Sequence, residues 1–374
     1  MRAGPCALLL CLGGVTRASH ADPARYDLRV EDGVEYDSNP ARAEQISGLP
    51  PSPAAPGSLL TRVVMSGDLA VPLGHDGSNV LVLSPSLGGK WFVATEARAE
   101  SVLVAQALAS DTMRLAQRAQ LVVAAVYYDV YQRRATDLPD FRSTAPSLRL
   151  DYAMWPAVTA SAALGYRWFT YKPDDALSFT APTAQLLVRH VLAGGLWDGG
   201  ADWEWSAGGS LEARAFHGPA CSATSCDDLP QVPRQHDRFW ILHAELTRTS
   251  SWLFGSGAAL HLNQSNSYGE SLLRGLVHVR AVVPLPWQWS LSLRAEIVAT
   301  SYAEPVVFTQ TVSGLPSASI DDESRSTLRA ELARLCLGQV EIGTRYVYYT
   351  SAPTSYTVKY RRQTLLVYLA VAAD

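Results

Sequence analysis

The sequence predicts an all-β chain: a single transmembrane antiparallel up-and-down β-barrel of about sixteen strands (roughly 14–18) behind a cleaved signal peptide. Three observations predict it. Period-two amphipathic segments recur along the chain, and many run to roughly 9–14 residues, the length a tilted strand needs to cross a bilayer. Short joints alternate with long ones, as they do between the two ends of a membrane barrel. Tryptophans and tyrosines gather beside the joints instead of in mid-segment, where the core of a soluble sandwich would hold them.

The N-terminus reads as an export signal. Arg2 precedes the apolar "ALLLCLGGV" (7–15), and Ser19 and Ala21 supply small residues for a peptidase, predicting cleavage after Ala21. Residues 1–21 are then the signal peptide and 22–374 the barrel. The first strand, "RYDLRVEDGVEYD" (25–37), sets Tyr26, Leu28, Val30, Val34 and Tyr36 against Arg29, Glu31, Gly33, Glu35 and Asp37. A long Pro- and Ser-rich stretch, 38–58, follows it as an external loop. The region 79–112 is blurred by Gly88-Gly89 and by the helix-like "ATEARAESVLVAQALA" (94–109). Further long external loops are expected at 131–145, 217–238 and 303–325. The tight joints are "GHDG" (74–77), "PAV" (156–158), "SSW" (250–252) and "PLPW" (284–287). Between these lie "WEWSAGGSLEARAF" (203–216), "FWILHAELT" (239–247), "QWSLSLRAEIVAT" (288–300), "TLRAELAR" (327–334) and "VEIGTRYVYY" (340–349), each greasy on one face and wet on the other.

Composition excludes several classes. Charged residues make up 18% and the formal net charge is −4, so there is no basic excess to bind nucleic acid. The longest apolar runs, such as "LVVAAVYY" (121–128), are too short to cross as helices. Strands in hydrocarbon satisfy every backbone N–H and C=O only in a closed sheet, so the greasy faces point to lipid and the wet faces to a lumen. Of five cysteines, two leave with the signal. Cys221 and Cys226 are expected to form a small-loop disulfide, with a metal site near His217 as the alternative reading; Cys336 reads as a small apolar residue.

The mature chain as a whole resembles the bacterial outer-membrane β-barrel superfamily. "VEYDSNP" (34–40) is similar to the opening strand of barrels associated with envelope polysaccharide export and tetratricopeptide-repeat proteins, while "DDESRSTLRAELAR" (321–334) and "YRRQTLLVYLAV" (360–371) look like closing strands. The resemblance implies outer-membrane lipid and the barrel-assembly machinery as partners. Many such barrels end in Phe or Trp, which that machinery reads, whereas this chain ends "LAVAAD".

The wet parity places Arg29, Glu31, Arg149, Asp151, Arg167, Glu204, Glu212, Arg214, His243, Glu245, Arg274, Arg280, Arg294, Glu296, Arg329, Glu331, Glu341 and Arg345 on the lumenal side. Rows of both signs select polar solutes by their transverse field, or else serve as salt-bridge ladders that stiffen the wall. No cofactor is implied, since neither a phosphate loop nor a zinc motif occurs. A hydrolase would need a nucleophile beside a base. In "HLNQSNSYGESL" (261–272), His261 and Ser265 are four residues apart, roughly 13 Å along a strand, too far for that bond. The expected function is therefore a passive or accessory channel for small polar solutes. The alternative is a barrel that anchors or assists envelope export or surface assembly; an outer-membrane lipid hydrolase comes last.

Overall fold

A computed structural model describes residues 24–40, 45–46, 57–73, 79–132, 140–192, 202–222, 232–303, 326–336, 338–351 and 358–373. They form β1 (Arg25–Asp37), β2 (Gln45–Ile46), β3 (Ser58–Leu73), β4 (Asn79–Phe92), β5 (Val102–Ala116), β6 (Ala119–Gln132), β7 (Phe141–Trp155), β8 (Val158–Tyr171) and β9 (Phe179–Leu192). The second half comprises β10 (Asp202–Pro219), β11 (Arg234–Thr249), β12 (Leu253–Ser265), β13 (Leu272–Leu285), β14 (Trp289–Tyr302), β15 (Ser326–Cys336), β16 (Val340–Ser351) and β17 (Val358–Ala373). Each strand pairs antiparallel with its sequence neighbour, apart from the two-residue β2, which touches only β17. β1 pairs with β3 on one side and β17 on the other, which closes the sheet. Seventeen strands less β2 leave a sixteen-stranded closed barrel.

Closure explains why so much apolar surface is exposed. On β17, Leu365, Val367, Leu369 and Val371 point outward at 44–57% exposure, while Thr364, Leu366, Tyr368 and Ala370 point inward at 1–4%. The outward parity is the lipid face, and no second sheet is needed to cover it. Tryptophans mark both edges of this band. Trp155, Trp205, Trp252 and Trp287 stand exposed at the short-turn end, where Arg248 lies 4.5 Å over the Trp252 ring; Trp91, Trp168 and Trp240 stand exposed toward the long-connection end. Trp197 lies outside the described residues.

The strands differ from the sequence expectation where they project beyond the lipid. β6 runs to Gln132 and β7 starts at Phe141, so the connection expected at 131–145 spans 133–140. β10 reaches Pro219 and β11 starts at Arg234, which narrows 217–238 to 220–233. Rim residues such as Ser143 and Asp237 are polar and look like loop, yet they keep the ladder and point inward. The helix-like stretch 94–109 is mostly strand. A 3-10 turn occupies Thr95–Glu100, and β5 begins at Val102, where alanines alternate with Val104, Gln106 and Leu108. Tyr128, expected at the lipid interface, faces inward against a buried cluster.

Candidate lumenal site

The inner wall is built from three groups of side chains. The first spans the closure seam. Arg345 on β16 donates to Glu31 on β1 at 3.1 and 3.2 Å and to Glu331 on β15 at 2.6 Å. Arg29 donates to Glu341 at 2.8 Å. Tyr368 completes the group, its single hydroxyl proton shared between Glu331 at 2.8 Å and Glu341 at 2.9 Å. Its ring lies against Gly343, the residue directly opposite on β16, where any Cβ would collide with it. Further up the seam, Arg62 sits 3.4 Å from Glu31 and 3.6 Å from Glu35, Lys90 donates to Glu35 at 3.0 Å, and Arg362 donates to Asp37 at 3.0 Å. These groups are nearly all buried, so each charge depends on its partners.

The second group is a row of like charges. Arg280 on β13 stands opposite Arg294 on β14, which stands opposite Arg329 on β15. Directly opposed residues sit about 5 Å apart at Cβ, where like charges repel. A carboxylate relieves each one: Glu245 at 3.0 Å from Arg280, Glu296 at 2.9 Å from Arg294 and Glu331 at 2.6 Å from Arg329. Arg280 reaches Glu245 across Gly255, where a Cβ would stand 2.6 Å from the Arg280 Nε. The acids are recessed and the guanidiniums are not. Arg294 and Arg329 are 37% and 36% exposed, against 15% and 14% for Glu296 and Glu331.

The third group lies toward the long-connection end. Phe141, Phe169, Phe179 and Phe216 stack on consecutive strands at 4.8–5.2 Å between centroids. Arg214 lies 4.3 Å over Phe239 and 5.1 Å over Phe179, and holds Glu212, which also takes Arg167 at 3.0 Å. This row was not foreseen, although each phenylalanine falls on the wet parity of its strand. Phe216, two residues after Arg214, was the readable signal.

All the residues placed on the wet parity from sequence lie on the inner face. Arg149 pairs with Asp151 on its own strand, Arg274 donates to Thr300, and Glu204 lies 3.9 Å from Arg189. His243 and Glu245, two residues apart on β11, are not hydrogen-bonded to each other; Glu245 accepts from Arg280. His261 makes no hydrogen bond to Ser265, whose hydroxyl accepts from the Ser267 N–H. Among the described residues no three His, Cys, Asp or Glu side chains are placed to hold a metal ion. Cys221 is disulfide-bonded, and Cys226 lies outside the described residues.

No protein-family profile and no curated protein matches the chain. Among solved structures, the high-pH structure of Pseudomonas putida OprB is similar over 94% of both chains, at 6% identity and a TM-score of 0.54. The chain has the fold of the porin-like outer-membrane barrels. Lower-scoring likenesses include Acinetobacter baumannii OccAB1, at 10% identity over 95% of this chain and 98% of that one with a TM-score of 0.49. A bacterial polysaccharide outer membrane secretin matches at 10% identity over 93% and 98%, with a TM-score of 0.44. At these identities the likeness concerns the fold of the porin-like barrel, and its chemistry has to be argued from its own wall.

Proposed function

We propose that this porin-like barrel is a passive outer-membrane channel for small polar solutes, admitting anions more readily than cations. The observation that carries the reading is the row Arg280–Arg294–Arg329, in which Arg294 and Arg329 face the lumen while Glu296 and Glu331 lie beneath them. Barrels of about sixteen strands leave room for an aqueous channel, and fixed charges in such a lumen act over roughly 8 Å before salt screens them. The row is thus a local filter and not a long-range funnel. The reading is non-enzymatic, with the wall side chains binding and orienting solutes. It includes export by the segment 1–21 with cleavage after Ala21, insertion into outer-membrane lipid by the barrel-assembly machinery, and Cys226 as the partner of Cys221.

The test is single-channel recording of the refolded chain in a planar bilayer with a salt gradient. Steady conductance with a reversal potential on the anion side supports the reading. A folded, heat-resistant barrel that conducts nothing, or conducts with cation preference, overturns it.

A further inference from the structure

We propose that the outer wall of the barrel, at its long-connection rim, binds the phosphorylated headgroup of an outer-leaflet lipid through Arg142 and Lys172. The argument begins with a carboxylate on the wrong face. On β6, Tyr128 and Val130 face inward into the buried cluster, so Asp129 between them faces the lipid side together with Tyr127 and Tyr131. A bare carboxylate there is costly, and this one is almost completely covered, at 2% exposure. Tyr127 and Tyr131 each donate a hydroxyl to it at 2.8 Å. Arg142, its direct partner on β7, donates Nε and Nη2 at 3.1 and 3.0 Å. Lys172, just past the end of β8, lies 2.7 Å from both Asp129 and Asp140, with its ammonium 3.6 Å over the Tyr131 ring.

One arginine satisfies a carboxylate, yet this one gathers an arginine, a lysine and two phenols. The effect is to order cations on the outer surface. The formal charges balance, but Asp129 is recessed and Arg142 is 51% exposed, so the charge that meets the surface is its guanidinium. Its level is fixed by the neighbours. Trp168 stands beside Thr144, one outward step nearer the membrane than Arg142, and is 48% exposed with Tyr166 packed on it at 4.8 Å. Exposed Trp and Tyr mark the boundary between acyl chains and headgroups. Arg142 and Lys172 therefore sit at headgroup height, where the complementary anion is a phosphate. The Lys172 N–H groups go to Asp129, Asp140 and the Val130 carbonyl, so the Arg142 Nη1 edge, which Asp129 does not take, is the donor that meets it, with the Lys172 charge beside it.

The full chain, refolded and checked for its heat-resistant form, is mixed with a bisphosphorylated glycolipid or its dephosphorylated counterpart, and bound lipid is counted by native mass spectrometry. The phosphorylated lipid is expected to be retained about tenfold better, and the double variant R142Q/K172Q to lose that preference. Asp129→Asn removes the acid that orders both cations, and is expected to weaken the preference. Equal retention of the two lipids by the unmodified chain overturns the proposal. So does a double variant R142Q/K172Q that keeps the preference. Inorganic phosphate is expected not to displace the lipid; full displacement would make a free anion the ligand and overturn the lipid assignment.

Discussion

The Tyr368 ring occupies the space that a side chain at Gly343 would need, and from there its hydroxyl reaches both Glu331 and Glu341. The glycine and the tyrosine are one device. Tyr368→Phe removes the one hydroxyl proton that the two carboxylates share, and Gly343→Ala pushes the ring away from them, so each is expected to cost about 1–3 kcal/mol. Because they remove the same contacts, the double variant should cost little more than either single change. Urea unfolding in micelles, followed by tryptophan fluorescence, gives the three numbers; full additivity would refute the coupling.

Arg345 and Arg29 predict a contrast. Arg345 is 7% exposed and serves two carboxylates, while Arg29 is 37% exposed and its closest acid, Glu341, keeps the Tyr368 bond. Arg345→Gln removes the charge shared by Glu31 and Glu331 and leaves them to Arg62 at 3.4 Å and Arg329 at 2.6 Å, with an expected loss of about 1.5–3 kcal/mol. Arg29→Gln is expected to cost about 1 kcal/mol or less. Similar losses in the same unfolding assay would show that the seam network is no more desolvated than the lumen surface.

The arginine row predicts opposite signs for two neutralising changes. Arg294→Gln leaves Glu296 uncompensated and is expected to move the reversal potential toward cations. Glu296→Gln uncovers Arg294 and is expected to move it toward anions. The two residues are 2.9 Å apart, so a shift of the same sign from both would mean that the row does not face the ion path.

Glu270 predicts a pH dependence. It lies in the 266–271 connection, outside the spanning strands, and burial pushes its carboxyl up to about 7, with Asp237 adding repulsion and Arg214 relieving part of it. The folded value lies above the ordinary 4.5, so the folded barrel holds this proton more tightly than the unfolded chain. Its contribution to stability is complete below pH 4.5 and is lost as pH rises through about 7. Unfolding midpoints measured from pH 4 to 9 are expected to fall across that window in the unmodified chain, and to fall less in Glu270→Gln.

Architecture was legible in the sequence because lipid enforces it. A one-residue slip in "WEWSAGGSLEARAF" would turn Glu204, Glu212 and Arg214 into hydrocarbon, so parity alone puts them inside. Partners were less legible, because they depend on how far each strand is offset from the next. Nothing in "RYDLRVEDGVEYD" says that Glu31 meets Arg345, or that Glu35 meets Lys90 from the blurred stretch after Gly88-Gly89. In "YRRQ" two adjacent arginines look alike, and only the ladder turns Arg362 inward to Asp37 while Arg361 points out. Asp129 is illegible for the converse reason: its parity is the lipid's, and its cover comes from Lys172, two hairpins away in sequence.

The seam between β1 and β17 has a kinetic meaning as well. Arg29 and Glu341 are 312 residues apart, Glu31 and Arg345 314, and Asp37 and Arg362 325. Closing a loop of that length costs on the order of 5 kcal/mol in chain entropy, and it is recovered only when the last strand arrives. Until then β1 is paired with β3 alone and open on its other edge: Glu31 and Glu35 already have Arg62 and Lys90, but Asp37 still lacks Arg362 and Arg29 lacks Glu341, a state that hydrocarbon punishes and water does not. The chain is thus built to finish slowly and all at once, with ionic pairs that engage late and lock a ring already formed.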